Sequence, residues 1–240
     1  MKESYALIVS EVFYSIQGEG QTIGIPAVFL RLGGCNILCK SDSWTCDTID
    51  VWKKGKITKF ENVLGNEQES INNMSYLSMG AHLIITGGEP MMHKNAIILY
   101  LNWFRETYKF TPIVEIETNG TIIPDRILLD KIDYWNVSPK LSNSGVLFNK
   151  RVNEAAINTI QTFGRNKIFK FVVKSEEDIP YGICEDYPFI KPENIMLMPA
   201  GDSVDSLADV RVVVVELCKK YCYRFSDRLH ISLWNKKTGV

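Results

Sequence analysis

Short apolar runs alternate with amphipathic helical patterns along most of the chain, and this alternation constrains the fold more than any other feature. Runs typical of buried strands occupy residues 27–32, 82–86, 113–118, 134–137, 168–173 and 195–198. Helical patterns occupy residues 95–108, 125–131, 153–163 and, after a Ser203 cap, 204–221. Strand–helix–strand units of this kind build a parallel sheet through right-handed crossovers. We therefore predict an α/β fold, a partial parallel βα barrel of about six strands.

The composition fits one domain with a small substrate. The chain has 240 residues, 45% of them hydrophobic, which is enough to bury a sizeable core. We predict a single domain over residues 1–240, with the polar stretch 53–73 as an insertion outside the core. Lys and Arg (27) nearly balance Asp and Glu (28), for a formal net charge of -1. No global field therefore attracts nucleic acid or an anionic membrane surface.

The cysteines are informative because of the compartment that the sequence indicates. The N-terminal residues lack the basic flank and unbroken apolar stretch of a signal peptide, and the apolar run 212–215 is too short to span a membrane. We expect a cytoplasmic protein, in which the six cysteines do not pair as disulfides. Three thiols crowded into twelve residues then indicate metal binding or redox chemistry. Cys184, Cys218 and Cys222 are scattered. Cys218 and Cys222 share a predicted helix face, where a thiol is more often a small buried hydrophobe than a ligand.

Unusual residues follow four of the predicted strands. Cys35 follows the first, residues 87–90 the second, residues 119–120 the third and residues 138–140 the fourth. Because the carboxyl ends of parallel strands meet at one edge, these segments are expected to lie on one rim. Each alone is compatible with a structural turn, but their shared position favours a functional site.

The loop that carries Cys35, Cys39 and Cys46 is the strongest candidate for chemistry. Thiolates are soft ligands that suit iron–sulfur clusters or zinc. Three thiolates on a four-iron cluster leave one iron open to substrate, whereas a structural zinc site needs a fourth ligand, and no histidine lies in the loop. The residues alone favour a catalytic cluster but leave structural zinc and unligated thiols open.

The loop resembles that of the radical S-adenosylmethionine (SAM) superfamily, whose signature is Cys-x3-Cys-x2-Cys after the first barrel strand. Cys35 and Cys39 match the signature, but six residues separate Cys39 from Cys46, which indicates an insertion of about four residues. The run Thr86-Gly-Gly-Glu-Pro90 resembles the superfamily's segment for the amino group of SAM. The resemblance implies a radical SAM type of partial barrel.

Further stretches narrow the resemblance to the 7-carboxy-7-deazaguanine synthase family. They are residues 13–20, 117–121, 138–140, 170–173, 198–201 and 228–234. This likeness implies conversion of 6-carboxy-5,6,7,8-tetrahydropterin to 7-carboxy-7-deazaguanine, a lyase reaction of queuosine biosynthesis. It also implies a [4Fe–4S] cluster, SAM, magnesium, an electron donor such as flavodoxin, and a homodimer.

The resemblance assigns roles residue by residue. It implies cluster ligation by Cys35, Cys39 and Cys46, and a magnesium ligand in Thr48, a residue that alone reads as a turn or helix cap. The implied SAM contacts are Thr45, Cys46, Asp47, Gly88, Glu89, Ser138, Pro139 and Lys140. The implied substrate contacts are Ile16, Gln17, Gly18, Arg31, Thr86, Glu117 and Val240.

Two interpretations compete with this one. An enzyme that installs a glycyl radical on a partner protein would share the cluster and the Gly-Gly-Glu-Pro run, but would lack the pterin-pocket stretch 16–20. A zinc-stabilised binding module would share only the thiols. For Arg31, which lies within an apolar run, the residues alone allow either a substrate carboxylate or a structural ion pair.

Overall fold

A nine-stranded sheet forms the centre of the computed structural model, which describes residues 5–41, 45–46, 48–237 and 239–240. The strands are β1 (Ala6–Ile16), β2 (Pro26–Leu32), β3 (Lys56–Lys59), β4 (His82–Gly87), β5 (Val114–Thr118), β6 (Tyr134–Val137), β7 (Lys167–Val173), β8 (Ile195–Pro199) and β9 (Arg224–Phe225). Their order is β3-β1-β2-β4-β5-β6-β7-β8-β9. The strands from β2 onward along this order pair in parallel, whereas β1 pairs antiparallel with both β2 and β3.

Helices connect the parallel strands. They are α1 (Ile49–Trp52), α2 (Glu67–Ser78), α3 (Lys94–Tyr108), α4 (Arg126–Lys131), α5 (Phe148–Arg151), α6 (Glu154–Phe163), α7 (Val204–Tyr221) and α8 (Leu229–Trp234). Short 3-10 turns lie at Gly20–Thr22, Phe60–Asn62, Pro90–His93, Ser142–Ser144, Glu176–Asp178 and Pro192–Asn194, and a π-helical turn lies at Ile179–Cys184. Among these described helices, none is long and apolar enough to cross a membrane.

Side-chain caps explain where several helices begin. The α2 helix starts with a capping box between Asn66 and Glu69. Asp125 and Asn153 accept from backbone N–H groups at the starts of α4 and α6. The predicted cap Ser203 accepts from the backbone N–H of Ser206 at the start of α7, as expected.

The predicted α/β fold is confirmed. All six predicted strands are present as β2, β4, β5, β6, β7 and β8. The four predicted helices appear within one residue of their expected starts, as α3, α4, α6 and α7. In the described part of the chain, the sheet runs from β3 to β9 without the two pairing, so it is open, which is consistent with a partial barrel.

The segment 53–73 does not lie outside the core as predicted. It contains β3 and the start of α2, and Phe60, Val63 and Leu64 are buried in the main hydrophobic core. The segment is polar in sequence because most of its charged side chains are exposed on an edge strand and a helix. Phe60, Val63 and Leu64, which lie between these elements, pack into the core.

The two faces of the sheet differ in chemistry. Successive side chains of a strand point to opposite faces. One face carries residues such as Leu83, Ile116 and Phe171, which pack with the helices into the main core. The other face carries Arg31, Thr86, Glu117, Asn136 and Lys170, which line a cavity. The fold therefore places its apolar core outside the curved sheet and a polar site inside it.

Gly87 marks a point where backbone approaches backbone closely. It has φ 147°, and a Cβ at this position would overlap the carbonyl oxygen of Leu32 on the neighbouring strand. Gly80 also has a positive φ, 102°, but a Cβ there would meet nothing within 4 Å.

We expect Gly87→Ala to lower the free energy of unfolding by about 3 kcal/mol, because the methyl group adds a backbone clash to the strain of the positive φ. The control Gly80→Ala carries the strain alone and should cost about 1 kcal/mol. Urea unfolding of both variants measures the difference. Equal losses would show that β2 and β4 separate freely at this point.

Candidate active site

A cavity of about 330 Å³ opens on the polar face of the sheet, at the carboxyl ends of the parallel strands. Its walls come from the β1–β2 connection, the cysteine loop, the ends of β4 to β8 and the C-terminal residues. A space of this size, with convergent polar groups, fits a small-molecule site. The predicted rim of strand ends is therefore present as one cavity.

The three predicted ligand cysteines all line this cavity. Lys40 and Thr45 pair as an isolated antiparallel bridge, and the backbone N–H of Cys46 donates to the carbonyl oxygen of Cys39 at 3.1 Å. The extra residues thus leave the loop and return beside their starting point. The widened spacing does not separate Cys46 from Cys39. Asp42, Ser43 and Trp44, at the tip, lie outside the described residues.

Thiols are soft ligands that suit a metal group, but the surroundings of Cys35 favour its protonated form until metal binds. Burial raises the pKa of Cys35, and the nearby charges of Glu89 and Cys46 act in the same direction, while Lys140 opposes them. Bound iron removes the proton from such a thiol, since it is the thiolate that binds metal. Across the described residues, no three His, Cys, Asp or Glu side chains converge closely enough to hold a single metal ion.

Gly88 brings backbone next to the cysteine loop. Its N–H lies 3.3 Å from the carbonyl oxygen of Leu32, and a Cβ at Gly88 would overlap the carbonyl oxygen of Gly34 and approach Cys35. Only glycine fits here, and the position lines the cavity beside the thiols. This placement agrees with a SAM-binding role for Gly88.

Glu89 is placed differently from its expected role. Its carboxylate is fully buried and accepts from the backbone N–H groups of Met91 and Asn119, at 2.9 and 2.7 Å, and from Thr118 Oγ1 at 2.7 Å. The side chain ties the glycine turn to the end of β5 and does not line the cavity. A direct contact of the Glu89 carboxylate with SAM therefore has no support in the geometry.

Only some of the remaining predicted cofactor residues line the cavity. Thr48, Ser138 and Lys140 line the cavity, with Thr48 Oγ1 3.4 Å from Cys46 Sγ and Lys140 Nζ donating to Ser138 Oγ at 3.1 Å. Thr45 and Pro139 do not line it. The predicted contact Asp47 lies outside the described residues.

Gln17 lines the cavity with its amide held in one orientation. The side-chain nitrogen donates to Glu115 Oε1 at 2.9 Å and to Glu117 Oε1 at 3.0 Å, and the side-chain oxygen accepts from the backbone N–H of Glu19 at 3.2 Å. A flipped amide would face two carboxylates with its oxygen, so these contacts fix the assignment. Both amide hydrogens of Gln17 are thus used within the protein, and Gln17 orients Glu117.

Glu117 lines the cavity with its carboxylate. Its Oε1 accepts from Gln17 and its Oε2 accepts from Thr86 Oγ1 at 2.8 Å, so both oxygens are fixed. A carboxylate has about four acceptor positions, and the remaining ones are available to a ligand with two neighbouring donors. Thr86 and Glu117 therefore lie together, as expected for substrate contacts.

Arg31 combines the two roles that the residues alone allow. Its Nε pairs with Glu11 Oε1 at 2.8 Å, and the side chain lines the cavity. In the described part of the chain, the hydrogen bonds of its guanidinium use Nε alone. The terminal nitrogens of Arg31 thus remain suitable for a substrate carboxylate.

The C-terminal residues cover the cavity near the β1–β2 connection. Ile16, Gly18 and Val240 line it, as predicted. The hydroxyl of Ser15 donates to the Val240 carbonyl oxygen, and the backbone N–H of Leu229 donates to the Gly18 carbonyl oxygen at 2.8 Å. Residues 16–18 and the chain end therefore form one wall.

The sequence analysis missed a buried group of charges. Glu19 pairs with Lys170, with Arg228 at 3.0 Å and, at 3.8 Å, with His230, and all four line the cavity. Burial alone would raise the pKa of Glu19, but Lys170, Arg228 and His230 outweigh it and hold that pKa well below its usual range. The available signal was Lys170 within an apolar strand, the same signal that identified Arg31.

Comparisons with known proteins agree with this geometry. The chain is 35% identical to 7-carboxy-7-deazaguanine synthase of Aquifex aeolicus, covering 95% of this chain and 94% of the relative. It is 31% identical to the synthase of Halobacterium salinarum, covering 96% of this chain and 91% of the relative. The structure resembles a crystal structure of QueE from Escherichia coli, with TM-score 0.65, 24% identity and coverage of 94% and 95%. This last likeness concerns the fold.

No protein-family model matches the chain. The two relatives are nevertheless similar over nearly the whole chain. The chain belongs to the 7-carboxy-7-deazaguanine synthase family.

Proposed function

We propose that this chain converts 6-carboxy-5,6,7,8-tetrahydropterin to 7-carboxy-7-deazaguanine, with ring contraction and loss of ammonia, as a radical SAM lyase of 7-deazapurine biosynthesis. The observation that supports the proposal most is the convergence of three thiols, a glycine backbone edge and an oriented carboxylate on one cavity. The synthase names of the relatives give the product.

Within this proposal, Cys35, Cys39 and Cys46 hold a [4Fe–4S] cluster, and Gly88 with the 138–140 loop holds SAM beside it. When bound, the cluster and SAM would together supply the radical chemistry of the reaction. The chain's own contribution is placement: Gly88 allows close approach, and Lys140 supplies a positive charge next to a SAM carboxylate.

The substrate fits the opposite wall. The pterin ring carries an amino group next to a ring N–H, and this pair of donors matches the fixed oxygens of Glu117. Arg31 lies on the same face of the sheet and suits the pterin carboxylate through its terminal nitrogens. Ile16, Gly18 and Val240 complete this wall.

Other parts of the proposal rest on the family resemblance. Thr48 lines the cavity and its hydroxyl suits magnesium, a hard ion that keeps several waters. A flavodoxin-type electron donor, a homodimer and a cytoplasmic location are proposed on the same basis. Neither the glycyl-radical activating enzyme nor the zinc module gains an observation in its favour.

We expect Cys46→Ala to lose the stable cluster, because the variant leaves only two thiols in the cavity. Iron analysis and absorbance near ~400 nm after anaerobic reconstitution measure this, with about four irons expected in the wild type. Cys184→Ala is the matched control, since it removes an exposed thiol outside the cavity and should keep full iron content. Full iron content in Cys46→Ala would show that the ligand assignment is wrong.

We expect Glu117→Gln to raise KM for the carboxy-tetrahydropterin by about ten- to a hundredfold. The carboxylate can accept from two substrate donors, whereas the amide keeps one acceptor oxygen and turns an NH2 group toward the other donor. Cleavage of SAM without substrate should continue at the wild-type rate. Product formation and SAM cleavage, followed by chromatography, separate the two effects.

Glu216→Gln is the matched control, because it makes the same change on an exposed side chain paired with Lys219. It should leave KM unchanged. An unchanged KM in Glu117→Gln would place the donor edge of the substrate elsewhere in the cavity.

A further inference from the structure

The loop of residues 138–140 is held at both ends. At its start, the backbone N–H of Ser138 donates to the carbonyl oxygen of Thr118 at 2.7 Å, which continues the pairing of β5 and β6. At its end, the carbonyl oxygen of Lys140 accepts from Tyr187 Oη at 2.8 Å and from Arg151 Nη1 at 3.3 Å. The side chains of Ser138 and Lys140 meanwhile line the cavity. The loop is thus fixed from behind while its polar groups face the ligand space.

Tyr187 is built to donate one hydrogen bond from the core. The side chain is 1% exposed, and its ring lies 5.3 Å from that of Phe171 on β7 and 6.0 Å from that of Phe189. The hydroxyl has one hydrogen, with the Lys140 carbonyl oxygen nearer than that of Arg151, at 2.8 against 3.2 Å. Burial raises the Tyr187 pKa, so the hydroxyl stays a donor at physiological pH.

Arg151 is a buried cation that reaches the same oxygen. Its side chain is 5% exposed, Nη1 lies 2.6 Å from Asp186 Oδ2, and the guanidinium lies 5.4 Å from the centre of the Phe148 ring. Its Nε has no hydrogen-bond partner among the described residues. A buried guanidinium is costly unless its neighbours fix it well. Here the ion pair and the aromatic ring hold the planar group so that Nη1 can also reach Lys140.

We propose that Tyr187 and Arg151 are positioning residues for SAM binding, because together they fix the Lys140 carbonyl oxygen and thereby the ligand-facing side of the 138–140 loop. The inference rests on the proposed function, in which this loop contacts SAM. Neither residue lines the cavity, so both act through Lys140.

The physical reason is the cost of a small displacement. The Lys140 carbonyl oxygen accepts from two residues that do not line the cavity, and these two donors anchor the residue whose Nζ bonds Ser138 Oγ. Without the donors, the carbonyl loses its protein hydrogen bonds and the loop gains freedom to shift. A misplacement of about 1 Å at a ligand-contacting group can cost a large part of its interaction.

The main test is Tyr187→Phe, which removes one oxygen atom and keeps the ring. Its matched control is Tyr100→Phe, because Tyr100 is equally buried, lies outside the cavity, and has a hydroxyl with no hydrogen-bond partner among the described residues. Both variants are made in the full chain, and those with full iron content after reconstitution are titrated with SAM and, separately, with the carboxy-tetrahydropterin.

We expect Tyr187→Phe to weaken SAM binding by about tenfold, the effect of losing one buried hydrogen bond, while substrate Kd stays within about twofold. Amide hydrogen exchange of residues 138–145 in the cluster-free protein should become faster in Tyr187→Phe only. Tyr100→Phe should match the wild type in SAM Kd, substrate Kd and exchange in this segment.

Arg151→Lys provides a second variant if Tyr187→Phe does not fold. It keeps the positive charge next to Asp186 but loses the planar fork, so a loss of SAM affinity with unchanged substrate Kd is again expected. Unchanged SAM Kd, or an equal loss of affinity for SAM and substrate, overturns the inference in either variant. If the wild type binds no SAM, the proposed function fails and the inference fails with it. If the wild type binds SAM but hydrogen exchange of residues 138–145 is the same in the wild type and in Tyr187→Phe, the inference alone fails, because Tyr187 then does not hold the loop.

Discussion

The cavity depends on one buried carboxylate, that of Glu115. It is fully buried in the middle of the sheet and accepts from Gln17 Nε2 at 2.9 Å, from Thr22 Oγ1 at 2.6 Å and from Asn136 Nδ2, with His82 Nδ1 at 3.4 Å. A buried carboxylate is costly unless donors surround it. The donors come from the β1–β2 connection and from β4 and β6, so satisfying Glu115 draws that connection across the polar face of the sheet. The position of Gln17, and through it the orientation of Glu117, follows from this one requirement.

The two faces of the sheet divide stability from function. The apolar face packs against the helices and supplies the main core, with a buried set around Trp135, Phe169 and Ile116. The polar face carries fixed charges that a core would not tolerate, such as Lys170 with Glu19. Many polar groups there pair with one another, as Glu117 does with Gln17 and Thr86, and this pairing orients them before a ligand arrives. Preorganisation of this kind is what an enzyme needs when the cofactor supplies the chemistry.

The parallel part of the fold was predictable, because buried parallel strands are continuous apolar runs and their helices carry clear caps. The other strands were missed for physical reasons. In β1, the register shifts between Val9 and Glu11, so Leu7 packs in the main core while Glu11 pairs with Arg31 at the cavity. The irregularity interrupts the two-residue alternation on which strand prediction depends. The edge strand β3 is mostly charged or exposed, and β9 has two residues.

The sequence predicted which residues lie in the site better than it predicted what each side chain contacts. Motif likeness identified Gln17 and Glu89, but their partners lie far away in sequence: Gln17 bonds a carboxylate 98 residues later, and Glu89 accepts from a backbone N–H 30 residues later. No local pattern contains such pairings, so a polar residue expected to touch a ligand can prove to hold its neighbour. A more general signal was available in Arg31 and Lys170, each a cation within an apolar strand. Because a buried cation needs polar partners, each one indicates the polar face of the sheet. Phe29 and Val172, two positions away on the same strands, line the same cavity.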